Sequence, residues 1–256
     1  MKNAISIFGQ LRGDKDAWNS IKIFIKEYLN ADIFIHTWIT NEDKYYVYNI
    51  NDLIKDRDLE NESIDSKLWY DKQFKRQNST KNNIVDICNI LTPKSIIIDE
   101  QKIFNNEKYF NDVIIKLSDA ISYQNIMSQV YSRKKSIETI LNYEKQNNII
   151  YDNIYQIRTD IQLNNNINKI TTNGIFKNNL DVIIYGDRLS MIKFSNMFDD
   201  YFVNSQYLSH KLPLWHLEYH IDKYINDSSI KYINVSHPTV PELGVHGIKR
   251  NVCEGD

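Results

Sequence analysis

Arg158 and Asp160 stand two residues apart at the end of the aromatic, apolar run Tyr151-Asp152-Asn153-Ile154-Tyr155-Gln156-Ile157. Side chains alternate along a strand, so the two share a face. A cation beside a carboxylate at the carboxyl edge of a sheet can hold a phosphate, a metal or a sugar; the plainer alternative is a surface ion pair closing the strand. A second such run is Gly9-Gln10-Leu11-Arg12-Gly13. A glycine turn ahead of a helix lets backbone N–H groups and the positive helix end approach a phosphate, and Arg12 adds charge. The run lacks both the dinucleotide glycine fingerprint and the Lys-Ser/Thr ending of a phosphate loop, so an ordinary β-turn accounts for it as well. In Asp32-Ile33-Phe34-Ile35-His36-Thr37-Trp38 the residues Asp32, Phe34, His36 and Trp38 share one face. His36 and Trp38 at the strand exit could contact a base or a sugar, although a lone histidine more often serves as a structural hydrogen bonder.

Two further carboxylates have the chemistry of a general base or a hydroxyl acceptor: Asp187 after Gly186, and Glu218 between His216 and His220. A cap or a solvated face is the ordinary use of each. His216 and His220 lie one helical turn apart, but no His-Glu-x-x-His order and no third ligand accompany them, so zinc chemistry is poorly supported. There is no Gly-x-Ser-x-Gly elbow and no catalytic cysteine neighbourhood.

The elements that must position these groups read as alternating strands and helices. Ala4 to Phe8 is an apolar strand; Asp14 or Asp16 can cap a helix that buries Trp18, Ile21, Ile23, Ile25, Tyr28 and Leu29; and Ala31 to His36 is a second strand. That β-α-β unit implies parallel strands with a right-handed crossover. Residues 41–83, rich in tyrosine and charge without a sustained period, read as an insertion that could form an acceptor-side lid. A helix over 82–91 stopped by Thr92-Pro93, a strand over 95–98 ending in Asp99-Glu100, and a long helix over 117–147 follow. After the Tyr151 to Ile161 strand and an Asn-rich loop come a strand over 180–187, helices over 189–202 and 214–225, a last strand over 230–235 and an irregular tail from about 237. The expectation is one α/β domain over 1–256 with a Rossmann-type, mostly parallel sheet.

Bulk composition narrows the function classes. The chain has 256 residues, 42% of them hydrophobic, enough for a substantial core without staples. Its 31 basic and 33 acidic residues are interspersed for a net charge of -2, which argues against a nucleic-acid surface. Cys88 and Cys253 form neither a disulfide framework nor a metal-ligand spacing, which fits a reducing cytosol. No apolar run approaches membrane-spanning length and no signal-peptide core is evident, so a cytoplasmic protein is expected, with peripheral membrane contact left open.

Taken in order, these pieces resemble a group of bacterial glycosyltransferases linked to capsule, lipopolysaccharide or other surface-glycan synthesis. The resemblance rests on Gly9-Gln10-Leu11-Arg12, the Asp32 to Trp38 run, Met127-Ser128-Gln129-Val130-Tyr131-Ser132-Arg133-Lys134-Lys135-Ser136, and Tyr151-Asp152 leading to Arg158-Thr159-Asp160. It continues in Asp181 to Asp187 with Met191 and Phe194, and in Glu218. It implies a GT-A-like fold and transfer of a sugar from a nucleotide-activated donor to a hydroxyl of a glycan or glycolipid acceptor, with no nucleic-acid partner. It places Gly9, Gln10, Arg12, His36, Gln129, Tyr131, Lys134, Arg158 and Asp160 around the donor, and Asp187 and Glu218 at the acceptor hydroxyl. Related sequences resemble Arg-x-Arg-x-Asp at the central strand, whereas this chain has Gln156 in place of the first cation. Arg158-Thr159-Asp160 only partly resembles the Asp-x-Asp that holds Mg²⁺ or Mn²⁺, so a divalent cation at Asp160 stays open. The alternatives are a sugar nucleotidyltransferase, disfavoured by its sparse N-terminal glycine loop, and a noncatalytic nucleotide- or glycan-binding protein.

Overall fold

The computed structural model describes residues 1–11, 15–39, 81–100, 117–158, 173–177, 183–203 and 217–234, and structural statements below refer to these. Seven strands form one sheet in the order β3-β2-β1-β4-β6-β5-β7. The strands are β1 (Asn3–Phe8), β2 (Ala31–Ile39), β3 (Ser95–Glu100), β4 (Asn153–Arg158), β5 (Ile175–Lys177), β6 (Ile183–Asp187) and β7 (Tyr232–Asn234). β1, β2, β3 and β4 are mutually parallel, while β6 runs antiparallel to both β4 and β5. The expected mostly parallel α/β sheet is therefore present, with one reversed strand. A parallel pairing needs a crossover of a dozen or more residues, usually through a helix, and among the described residues between β4 and β6 there is only the strand β5.

Helices cover both faces. α1 (Lys15–Phe24), which widens into a π-helical stretch at Ile25–Leu29, and α2 (Lys81–Leu91) pack on one side. Trp18, Ile21, Phe24 and Ile25 from the first and Ile84, Ile87 and Leu91 from the second bury Ile5, Ile7, Ile33, Ile35 and Ile157. α3 (Leu117–Asn147), α4 (Arg188–Ser195), the π-helical stretch Phe198–Val203 and α5 (Leu217–Asp227) lie against the other. Ile23, expected inside, is 52% exposed because Ile21 and Ile25 occupy the inward stripe and a residue midway between them must point out. α1 also begins at Lys15, so Asp16 sits inside the helix rather than capping it, and Asp14 lies outside the described residues.

α3 orients the site. Its carboxyl end meets the start of β4, where Glu144 accepts the Tyr151 N–H at 2.8 Å and pairs with Arg188 at 2.8 and 3.0 Å. Its middle reaches the ends of β1 and β2 through Ser132 and Arg133. At 1.5 Å per residue, its first fourteen residues extend about 20 Å beyond that level.

At the opposite edge Gly186 pairs with both Ile154 and Ile175, and a Cβ there would be built onto the backbone of Gly174 and Ile175. Gly186→Ala must push two backbones apart and is expected to lower unfolding stability by about 1–3 kcal/mol, read from a denaturant melt. An unchanged midpoint would contradict that packing.

Candidate functional site

The parallel strands change connection direction between β1 and β4: from β1 the chain winds outward through β2 and β3, then returns to the far side of β1 as β4. In open α/β sheets such a switch point, at the carboxyl ends of the strands, leaves a crevice that no crossover covers. Phe8 and Arg158 are register neighbours at its rim, on the same face of the sheet. The half-buried Arg158 ends β4 there. The Arg133 guanidinium, only 2% exposed, lies 4.3 Å from the Phe8 ring centroid and adds a second positive charge beneath the rim.

Gly9 follows β1 with φ +102°, a conformation that side chains other than glycine rarely adopt. Its N–H is taken by the His36 carbonyl at 3.1 Å and by Ser132 Oγ at 2.9 Å. The expected donation from this N–H to a phosphate is therefore corrected. What Gly9 offers instead is space, because among the described residues nothing lies within 4 Å of the position a Cβ would occupy. Gln10 continues the turn; Arg12 lies outside the described residues.

His36 is fully buried and faces α3, as the strand parity predicts. Its Nδ1 sits 2.6 Å from Ser132 Oγ and its Nε2 3.3 Å from Asp99 Oδ2. Tyr131 donates its O–H to the same Asp99 oxygen at 3.2 Å. The arrangement suits one tautomer: the Ser132 hydroxyl donates to Nδ1 while accepting from Gly9, and Nε2–H points to Asp99. Burial pushes the His36 pKa down to about 4 against the opposing pull of Asp99, so the ring is neutral at physiological pH. Trp38 stacks on Tyr131 at 5.2 Å and meets His36 edge-on at 5.1 Å, closing the chain in aromatic surface.

Ser132, Arg133 and Asp99 were missed as site residues. They lie 96, 97 and 63 positions from His36, so only tertiary packing joins them. The available signals were the inward parity of His36 and a carboxylate ending the neighbouring strand.

Other expected donor residues are redistributed. Gln129 and Tyr131, two apart on α3, point in different directions and do not share a cleft. The Lys134 ammonium is held by both Asp199 oxygens at 2.6 and 2.7 Å, which takes it from a diphosphate role. Asp187 takes the capping role given above as its ordinary use. It pairs with Asn153, at the amino edge and five residues along β4 from Arg158, about 16 Å away at the usual strand rise. Its carboxylate caps α4 by accepting from Ser190 N–H at 3.1 Å and also accepts from Gly174 N–H at 2.6 Å. Those bonds outweigh partial burial and hold its pKa below the ordinary carboxylate value. Glu218 falls in the first turn of α5. Asp160, His216 and the 41–80 part of the expected insertion lie outside the described residues.

Among the described residues no three His, Cys, Asp or Glu side chains converge as a metal-binding group. No described helix is long and apolar enough to cross a membrane. No protein-family model matches the chain, and no curated protein matches it significantly.

Proposed function

We infer that the chain is a nucleotide-sugar-dependent glycosyltransferase of GT-A-like fold, moving a sugar to a hydroxyl of a bacterial surface glycan or glycolipid. One observation carries the reading: beyond the carboxyl ends of β1 and β4, the open face of Gly9 stands beside Arg158 at a topological switch point. A diphosphate fits that rim, since glycine lets a ligand approach the backbone and a guanidinium pairs with phosphate oxygens in a fork.

In the reaction, the bond from the sugar's anomeric carbon to the diphosphate breaks and negative charge gathers on the leaving phosphate. Arg158, with Arg133 adding field from below, stabilises that charge most where it is largest. The acceptor hydroxyl loses its proton to a carboxylate, for which Glu218 remains the candidate once Asp187 is assigned to capping. Asp160, two residues after Arg158 in the sequence, is the carboxylate that would hold a divalent cation on the diphosphate if the reaction uses one.

A thermal-shift panel of nucleoside diphosphates and nucleotide sugars, with and without Mn²⁺, tests the reading. Stabilisation by one nucleotide family is the expected result, and a further rise with Mn²⁺ would assign a divalent cation to the site. No shift with any nucleotide at millimolar concentration would favour a noncatalytic glycan-binding role, and release of pyrophosphate from a triphosphate would favour a nucleotidyltransferase.

A further inference from the structure

We propose that Asp99 is a ligand-contacting carboxylate, held in place by Tyr131 and His36 so that its second oxygen accepts a hydroxyl of the ligand bound over the switch point. The inference rests on the nucleotide-sugar reading and names a contact within that site.

Asp99 sits near the carboxyl end of β3, in register with Trp38 and on the face that α3 covers. Only one of its oxygens is used: Oδ2 accepts from Tyr131 and from His36, while Oδ1 takes no hydrogen bond from any described residue. The side chain is 28% exposed, whereas every group that fixes it is buried: His36 and Ser132 at 0%, Tyr131 at 7%. Two donors on one oxygen of a partly exposed carboxylate hold its plane and leave the other oxygen directed elsewhere.

The same chain ties Asp99 to the rim. His36 passes from Asp99 to Ser132, and Ser132 accepts the N–H of Gly9. Asp99 and Gly9 thus belong to one hydrogen-bonded unit, two strands apart, or about 10 Å at the usual strand spacing. That is the separation between a diphosphate and a hydroxyl group elsewhere on the same nucleotide sugar.

An ionised carboxylate only accepts, so its ligand must donate. Lys135 near the Tyr131 ring is already paired with Glu138 at 2.6 Å, and the hydroxyls of a nucleotide sugar supply the donor that Asp99 Oδ1 would take. The hydroxyl belongs either to the ribose or to the transferred sugar. His36, Ser132 and Tyr131 are positioning residues.

Asp99→Asn tests this with the inner contacts kept, because its amide oxygen still accepts from Tyr131 and His36 while an N–H₂ replaces the outward acceptor. Calorimetric titration compares the full chain and the variant with UDP, GDP, CDP and ADP, their 2′,3′-dideoxy counterparts and the matching nucleotide sugars. The expected result is a loss of roughly ten- to hundredfold in affinity for the preferred ribonucleotide, with equal affinity of the two proteins for the dideoxy form. Weakening confined to the nucleotide sugar would assign the contact to the donor sugar and uphold the proposal. Equal weakening toward ribo and dideoxy forms would make Asp99 structural and overturn it. Wild-type affinity in the variant would overturn it and leave the nucleotide-sugar reading standing; no binding of any nucleotide by the wild type would remove both. Tyr131→Phe serves as a second variant should Asp99→Asn misfold: it loosens Oδ2 alone, and its expected loss is again confined to hydroxyl-bearing ligands.

Discussion

Arg158→Ala is expected to lower kcat/KM for sugar transfer by about 10²- to 10³-fold, the usual cost of removing one preorganised group that meets charge as it develops in the transition state. Arg158 ends β4 at the switch point, beside Phe8 in register, and is half-buried. Its removal leaves the inner residues of β4 in place, because Ile154, Gln156 and Ile157 are fully buried by neighbouring elements. The effect should fall mainly on kcat, with a smaller change in the affinity for the nucleoside diphosphate. Arg158→Lys should recover only part of it, since an ammonium cannot make the paired contacts of a guanidinium fork. A variant with normal kcat/KM and normal stability would remove Arg158 from the reaction.

The second large effect concerns acid. Burial holds the His36 pKa at about 4, below its ordinary 6.5, while Asp99 and Glu138 oppose the shift and Lys135 adds to it. The unfolded chain therefore binds the proton first. Between these two values it carries more protons than the folded chain, so folding stability rises with pH across the window. The contribution is complete above pH 6.5 and is lost as pH falls from 6.5 to 4, by about 3 kcal/mol in total. Urea melts at several pH values should show this slope, and His36→Gln should flatten it while lowering stability at neutral pH through the altered Ser132 and Asp99 contacts. A slope that survives in the variant would assign the acid sensitivity to other groups. Loss of the neutral ring would also disturb Gly9 and Asp99 together, because both hang on it through Ser132 and Nε2.

What the sequence discloses here is periodicity, and it does so well where elements are long. α3 spans Leu117–Asn147 as its uninterrupted helical pattern predicts, and α2 and the alternating faces of β2 follow their patterns closely. The three-residue strand β5 offers too little alternation to stand out and lies in what reads as an Asn-rich loop, whereas β7 falls inside the strand expected over 230–235. Strand direction is likewise invisible locally. Asp187 looks like another carboxylate at a strand's end, but β6 runs antiparallel to β4, so its end lies at the amino edge. Parity told which face His36 takes and could not tell how deeply it lies or which side chains from β3 and α3 would reach it. Lys134 has the chemistry of a phosphate ligand until Asp199, 65 residues on, is folded against it.

The central claim is that a nucleotide diphosphate binds at the carboxyl edge, over the end of β1 and β4. Hydrogen–deuterium exchange, with and without the nucleoside diphosphate that gives the largest thermal shift, tests it most directly. The account predicts slowed exchange concentrated in peptides spanning residues 8–11, 36–39 and 157–158, with none around Asp187. Protection confined to the amino edge near Asp152, Gly174 and Asp187 would contradict it.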